Sequence, residues 1–230
     1  MKKIFIACDT QSIKKVKQIL IQTNIKSKKF KIGYKFGLEF FYTPKGRLFI
    51  SKLKKKSIFL DLKINDIPNT SIAALHSLKD LKNIDYITVH INAGFEMLKK
   101  IKREAKKINK KIKILGVSIL TSLSSKDLKK LGYNKKLKDI VKKQAVLAKH
   151  AKLDGLICSA NEVKFIKSIC KKMEIITPGI RLSGDQTHDQ ARVTSPLKAF
   201  DSGASSIVIG RSITKGNIKS NLKKLLNSLN

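Results

Sequence analysis

Acidic residues are scarce in this chain: 16 Asp and Glu stand against 50 Lys and Arg, a formal net charge of +34 over 230 residues. Long hydrophobic runs are missing as well. Apolar stretches such as residues 4–8 and 114–117 fall far short of the roughly 18 residues a membrane-spanning helix needs, which excludes a helical span. The lysine-led start imitates an export signal. Asp9 ends its apolar run before the ~7–15 residues such a signal requires, so a cytoplasmic location is expected. Cysteine occurs only three times, at Cys8, Cys158 and Cys170. Their spacing is wrong for a metal site, and they sit in or beside apolar runs, so they read as buried, reduced thiols.

Arginine and tryptophan are the other shortages. Only five of the fifty cations are Arg (Arg47, Arg103, Arg181, Arg192 and Arg211), and Trp is absent. Arg is preferred for bidentate phosphate and base contacts, and single-strand binding grooves interleave aromatics with cations. This chain does neither. Its Lys residues recur along nearly every amphipathic segment, as at Lys14-Lys15, Lys54-Lys55-Lys56, Lys99-Lys100 and Lys142-Lys143, the pattern of solvated outer faces. A strongly basic surface attracts phosphate-bearing ligands in general. The distribution argues against a dedicated nucleic-acid partner.

What is abundant is alternation. Hydrophobic residues make up 42% of the chain, enough to bury a core and to exclude disorder. Short β-branched or apolar runs at residues 4–8, 31–36, 58–62, 86–90, 112–118, 155–158, 175–177 and 206–209 read as strands. Helical periodicity fills residues 12–21, 95–108, 137–149, 162–171, 196–202 and 218–229, with weaker patterns near 48–53 and 71–81. Eight strand–helix units in 230 residues leave about 29 residues each, which fits an α/β fold of the (β/α)8 TIM-barrel type as one domain over residues 1–230. A doubly wound sheet is the alternative. Its dinucleotide version is disfavoured, because Cys8-Asp9-Thr10-Gln11 follows the first strand where a glycine-rich turn would stand.

In such a barrel the chemistry collects at the C-terminal ends of the strands. Those ends carry Asp9, Lys35, Asp61 with Lys63, His90, Thr121 with Ser122, Ser159, Pro178 with Arg181, and Gly210 with Arg211. Asp61 and Lys63 are the most informative. In an extended chain they point to the same face of an otherwise apolar strand. Burying charge is costly unless it is paired, so they form either a structural ion pair or a site that needs a charged lysine. His90 reads either as a residue orienting the end of strand four or as a satisfied core histidine.

The neighbouring residues extend into longer segments: Lys35-Phe36-Gly37-Leu38-Glu39-Phe40-Phe41, Asp61-Leu62-Lys63 through Asp66-Ile67-Pro68-Asn69-Thr70, Thr177-Pro178-Gly179-Ile180-Arg181, and Val208-Ile209-Gly210-Arg211-Ser212. With these in order along nearly the whole chain, the sequence resembles the orotidine 5′-phosphate decarboxylase family. That family converts orotidine 5′-monophosphate to uridine 5′-monophosphate and CO₂ without a cofactor or metal. The resemblance implies that Lys35, Asp61, Lys63 and Asp66 form an alternating charge network, with Lys63 as proton donor. It also implies a homodimer in which Asp66 and Thr70 reach the partner's site.

By the same resemblance Asp9, Lys35 and Thr70 would hold ribose hydroxyls, Ile67 and Pro178 would contact the nucleotide, and Thr121 or Ser122 would face the base. Arg181, Gln190, Gly210 and Arg211 would bind phosphate. Lys31 competes with Lys35, since both fall on one face of strand two; Gly37-Leu38-Glu39-Phe40 follows Lys35 as in the family, which places Lys31 near the other end of the barrel. Residues 179–190, with Gly184 among polar neighbours, suit a mobile lid. Related barrel enzymes acting on hexulose or keto-gulonate phosphates would be Mg²⁺-dependent, with Glu at the position of Lys35. The lysine there disfavours them.

Overall fold

The computed structural model describes residues 1–25, 27–185 and 192–229. β1 (Lys2–Ala7) leads through α1 (Ile13–Gln22) to β2 (Phe30–Gly37), α2 (Leu38–Phe41), α3 (Gly46–Ser51) and β3 (Ser57–Ile64). Next come α4 (Pro68–His76), β4 (Ile84–His90), a single 3-10 turn (Ile91–Ala93), α5 (Phe95–Ile108), β5 (Lys113–Val117), α6 (Ser125–Lys130) and α7 (Leu137–His150). β6 (Gly155–Ile157), α8 (Ala160–Ile169), β7 (Glu174–Thr177), α9 (Pro196–Asp201), β8 (Ser206–Ile209), α10 (Arg211–Thr214) and α11 (Ile218–Asn227) complete the order. The strands pair in sequence order, all parallel, and β8 returns to β1 to close the barrel. The TIM-barrel expectation holds.

Period-two alternation divides each strand between two cores. In β2, Ile32, Tyr34 and Phe36 face outward to the helices, where they join Val16 and Ile19 of α1 and the buried faces of the other helices. Gly33 and Lys35 face inward. The barrel interior holds a separate cluster built on Phe5, Phe59, Tyr86, Leu115 and Ile176. Its rings meet edge to face: Phe5 lies 5.3 Å from Phe59 at 77° and 5.4 Å from Tyr86 at 79°. This layer plugs the barrel below its C-terminal end.

Helix boundaries follow local capping more closely than periodicity. Ser12 caps α1 by accepting from the Lys15 backbone N–H at 3.2 Å. The segment expected to start at Glu162 begins at Ala160, because Ser159 and Glu162 cap each other's backbone N–H groups in a capping box. The weak pattern near 71–81 becomes α4, which starts earlier because Pro68 fits the first turn, where no N–H is needed. Helices α2, α6 and α10 were not expected; α2 and α10 have four residues each, too few to show a period.

Among the described lysines only Lys35 and Lys102 are buried, in keeping with solvated Lys faces. The three cysteines are buried and free. Among the described residues no helix is long and apolar enough to cross a membrane.

Candidate active site

A cavity of about 520 Å³ opens at the C-terminal ends of the strands, above the aromatic layer, with Phe59 in its lining. Its charged lining comprises Asp9, Lys35, Glu39, Asp61 and Lys63 on the β1–β3 side, with Arg181 and Arg211 following β7 and β8. Val117, Leu120 and Ile157 add apolar wall between them. The site is therefore divided: carboxylates and lysines on one side, two guanidinium groups on the other.

On the first side the charges alternate in a chain. Lys35 Nζ donates to Asp9 Oδ1 at 2.8 Å and lies 3.6 Å from Asp61 Oδ2, which accepts from Lys63 Nζ at 2.9 Å. Burial would discharge Lys35, but Asp61 and Asp9 together outweigh it and hold its pKa above the ordinary lysine value. Burial would likewise neutralise Asp61. Lys35 and Lys63, helped by a hydrogen bond from Thr88, offset this and hold its carboxyl below the usual range. Each interior charge is kept ionised by opposite neighbours on both sides.

The backbone that carries Lys63 is not a regular strand. β3 advances from Leu60 to Ile64 while β4 advances only from Ile87 to Val89, so β3 bulges between these pairs. Within the bulge Lys63 has φ +49°, the left-handed region that side chains other than Gly rarely adopt. Its backbone N–H donates to Thr88 Oγ1 at 2.9 Å. Asp61 and Lys63 meet as period two predicts, but through a bulge rather than an extended chain.

A family model described as orotidine 5′-phosphate decarboxylase / HUMPS family matches residues 2–224. The chain belongs to this family. Among its relatives is the orotidine 5′-phosphate decarboxylase of Wolbachia sp. subsp. Brugia malayi (strain TRS), 41% identical over 98% of both chains. The crystal structure of orotidine 5′-phosphate decarboxylase from Lactobacillus acidophilus superposes with a TM-score of 0.84 at 30% identity, covering 100% of both chains. A second, orotidine 5′-monophosphate decarboxylase from Methanocaldococcus jannaschii complexed with inhibitor BMP, gives a TM-score of 0.77 at 25% identity over 100% of this chain and 99% of that one. These relatives are carboxy-lyases by name, and the present chain is an enzyme of their family.

The residues expected from the decarboxylase family fall into three groups. Asp9, Lys35, Asp61, Lys63, Thr121, Ser122, Pro178, Arg181, Gly210 and Arg211 all line the one cavity. Asp66, Ile67 and Thr70 do not: they are exposed on the segment between β3 and the first turn of α4, with Ile67 67% accessible. Asp66 Oδ1 accepts from the Ile67 backbone N–H at 2.7 Å, and among the described residues Asp66 makes no ion pair. Within one chain the alternating series thus runs from Asp9 to Lys63, gaining Asp9 beside Lys35 and lacking Asp66 beyond Lys63. Gln190, and with it most of the expected lid's far end, lies outside the described residues.

Lys31 sits at the start of β2, paired in register with Lys3, at the opposite end from Lys35. His90 is half-buried; its Nδ1 accepts from the Asn92 backbone N–H at 3.4 Å, capping the 3-10 turn, and burial with Lys63 nearby lowers its pKa. Sequence reasoning missed three participants. Glu39 and Cys158 line the cavity, and Thr88 joins Asp61 to Lys63. Glu39 lies within Lys35-Phe36-Gly37-Leu38-Glu39-Phe40-Phe41, directly after β2, a signal that could have found it; a strand threonine such as Thr88 carries none.

Proposed function

We propose that this protein is a homodimeric decarboxylase that converts orotidine 5′-monophosphate to uridine 5′-monophosphate and CO₂, with Lys63 as proton donor. The observation that carries this reading is the Asp9–Lys35–Asp61–Lys63 series on one wall of the cavity, facing two arginines on the other. Arg181 and Arg211, with the Gly210 backbone and Gln190, would hold the 5′-phosphate. Asp9 and Lys35 would bind ribose hydroxyls, while Thr121 and Ser122 face the pyrimidine between apolar walls.

Breaking the bond from pyrimidine carbon six to the carboxylate releases CO₂ and leaves an electron pair on that carbon. The Lys63 ammonium stabilises this pair as it develops, then gives it a proton; solvent reprotonates the amine. Asp61 holds that ammonium in place. A substrate carboxylate set against Asp61 would be repelled, and departure of CO₂ relieves the repulsion. The four charges of the series sum to zero, so the series itself places no excess charge in the barrel for the fold to bear. Lys35 in this series, where hexulose- or keto-gulonate-phosphate enzymes would have Glu, favours the decarboxylase among family members.

The exposure of Asp66, Ile67 and Thr70, outside their own chain's cavity, supports a role for Asp66 and Thr70 in a partner's site. Binding energy from the remote phosphate would serve to close the site over the reacting carbon. The test is to follow the ultraviolet absorbance of orotidine 5′-monophosphate with purified protein in excess chelator. Turnover is expected to persist. No turnover, or turnover only after Mg²⁺ is added, rejects the reading.

A further inference from the structure

We propose that Thr88, on β4, is the positioning residue that fixes Lys63 against Asp61, an inference that rests on the decarboxylase reading of the site. Thr88 is fully buried and is not among the residues lining the cavity, so it acts through its neighbours rather than on substrate. Its hydroxyl donates to Asp61 Oδ1 at 3.0 Å and accepts from the Lys63 backbone N–H at 2.9 Å. Both directions are forced, because a carboxylate only accepts and an N–H only donates.

One oxygen therefore holds two things at once. It turns the Asp61 carboxylate so that the other oxygen, Oδ2, faces Lys63 Nζ at 2.9 Å and Lys35 Nζ at 3.6 Å. It also gives the N–H of Lys63 a partner in the left-handed conformation at φ +49°. Remove the hydroxyl and the carboxylate loses its orientation, while the bulge loses the bond that ties it to β4. The ammonium then has neither its backbone origin nor its counter-ion fixed.

Thr88→Val keeps the shape and deletes the hydroxyl. It is expected to lower kcat about 100-fold, as a misplacement near 1 Å does, with KM changed less than about 3-fold. Thr88→Ser restores the hydroxyl and should return kcat to within about 3-fold of wild type. A second readout needs no turnover. In the substrate-free protein, the Asp61 carboxyl titration followed by carbon-13 NMR should move up toward the ordinary range in Thr88→Val and stay in place in Thr88→Ser, since the Thr88 hydrogen bond helps hold it down.

A folded Thr88→Val with wild-type kcat and an unmoved Asp61 titration overturns the proposal, as does a Thr88→Ser as impaired as the valine. If Thr88→Val does not fold, Thr88→Ala is read in its place; failure of both to fold makes Thr88 a framework residue and also overturns it. Wild-type protein inert toward orotidine 5′-monophosphate sinks the functional reading instead, and the NMR titration still decides whether Thr88 orients Asp61.

Discussion

The two ends of the barrel each hold a chain of charges, and the chains differ in sign pattern and access. At the C-terminal end Asp9, Lys35, Asp61 and Lys63 alternate, and Lys35 keeps a raised pKa although it is buried. At the N-terminal end Lys113 pairs with Glu174, and the Tyr86 hydroxyl accepts from Lys3 while donating to Glu174 Oε2 at 3.0 Å, so Lys3 reaches that carboxylate only through the phenol. Burial lowers the pKa of Lys3; Glu174 opposes this, but Lys113 adds repulsion. A lysine paired directly with two carboxylates keeps a raised pKa, whereas one that bonds a phenol beside more distant carboxylates and another lysine has its pKa lowered. The upper chain faces the cavity, whereas the lower one is sealed from it by the Phe5–Phe59–Tyr86 layer.

The sharpest way to break this contrast is to cut each chain in turn. Lys63→Ala should lower kcat by about 10⁴-fold or more while the protein stays folded, since in the proposed reaction it removes both the acid and the charge that would stabilise carbon six. Tyr86→Phe should leave kcat within about 2-fold and lower stability by about 1–2 kcal/mol, read as a drop in Tm of about 2–8 °C. Near-normal turnover in the first, or a collapse of kcat in a folded second, would erase the division between a chemical and a structural end.

A subunit-mixing test asks whether the upper end is complete in one chain. Asp61→Ala and Asp66→Ala proteins should each be inactive. In an equal mixture half the dimers are hybrids, and each hybrid holds one site with both aspartates intact, so about a quarter of wild-type activity should return. No recovery after confirmed subunit exchange would remove Asp66 from the partner's site and leave the upper end as self-contained as the lower.

Much of the upper end was legible in the sequence because its residues obey the strand period. Parallel strands buried on both faces read as apolar runs; period two put Lys31 and Lys35 on one face, and the Gly37-Leu38-Glu39-Phe40 segment after Lys35 told apart the two lysines that the barrel carries to its opposite ends. The bulge was not legible. No Gly marks the left-handed position at Lys63, and the hydroxyl that satisfies it comes from Thr88, on a different strand. The exposure of Asp66, Ile67 and Thr70 was signalled only by the family resemblance, since a short connection between strand and helix shows no period of its own.

The smallest expected effect separates the layers within a single strand. Two inward-facing glycines of β2 sit at different heights. A Cβ on Gly33 would lie 2.6 Å from the Phe5 ring, inside the aromatic layer, whereas one on Gly37 would lie 3.2 Å from both Asp9 Oδ1 and Lys35 Nζ. Gly37 has φ −92°, which any residue adopts, so Gly37→Ala strains no backbone and acts only by pressing on that ion pair. The pair must shift by a few tenths of an ångström, and in the proposed reaction it is the part of the series that would hold ribose rather than the part that would protonate carbon six. Steady-state kinetics should therefore show KM for orotidine 5′-monophosphate raised about 3–10-fold with kcat within about 2-fold. A fall in kcat at constant KM would mean that the shift travels through Lys35 to Asp61 and Lys63, so that the four charges act as one unit and not as a binding half and a reacting half.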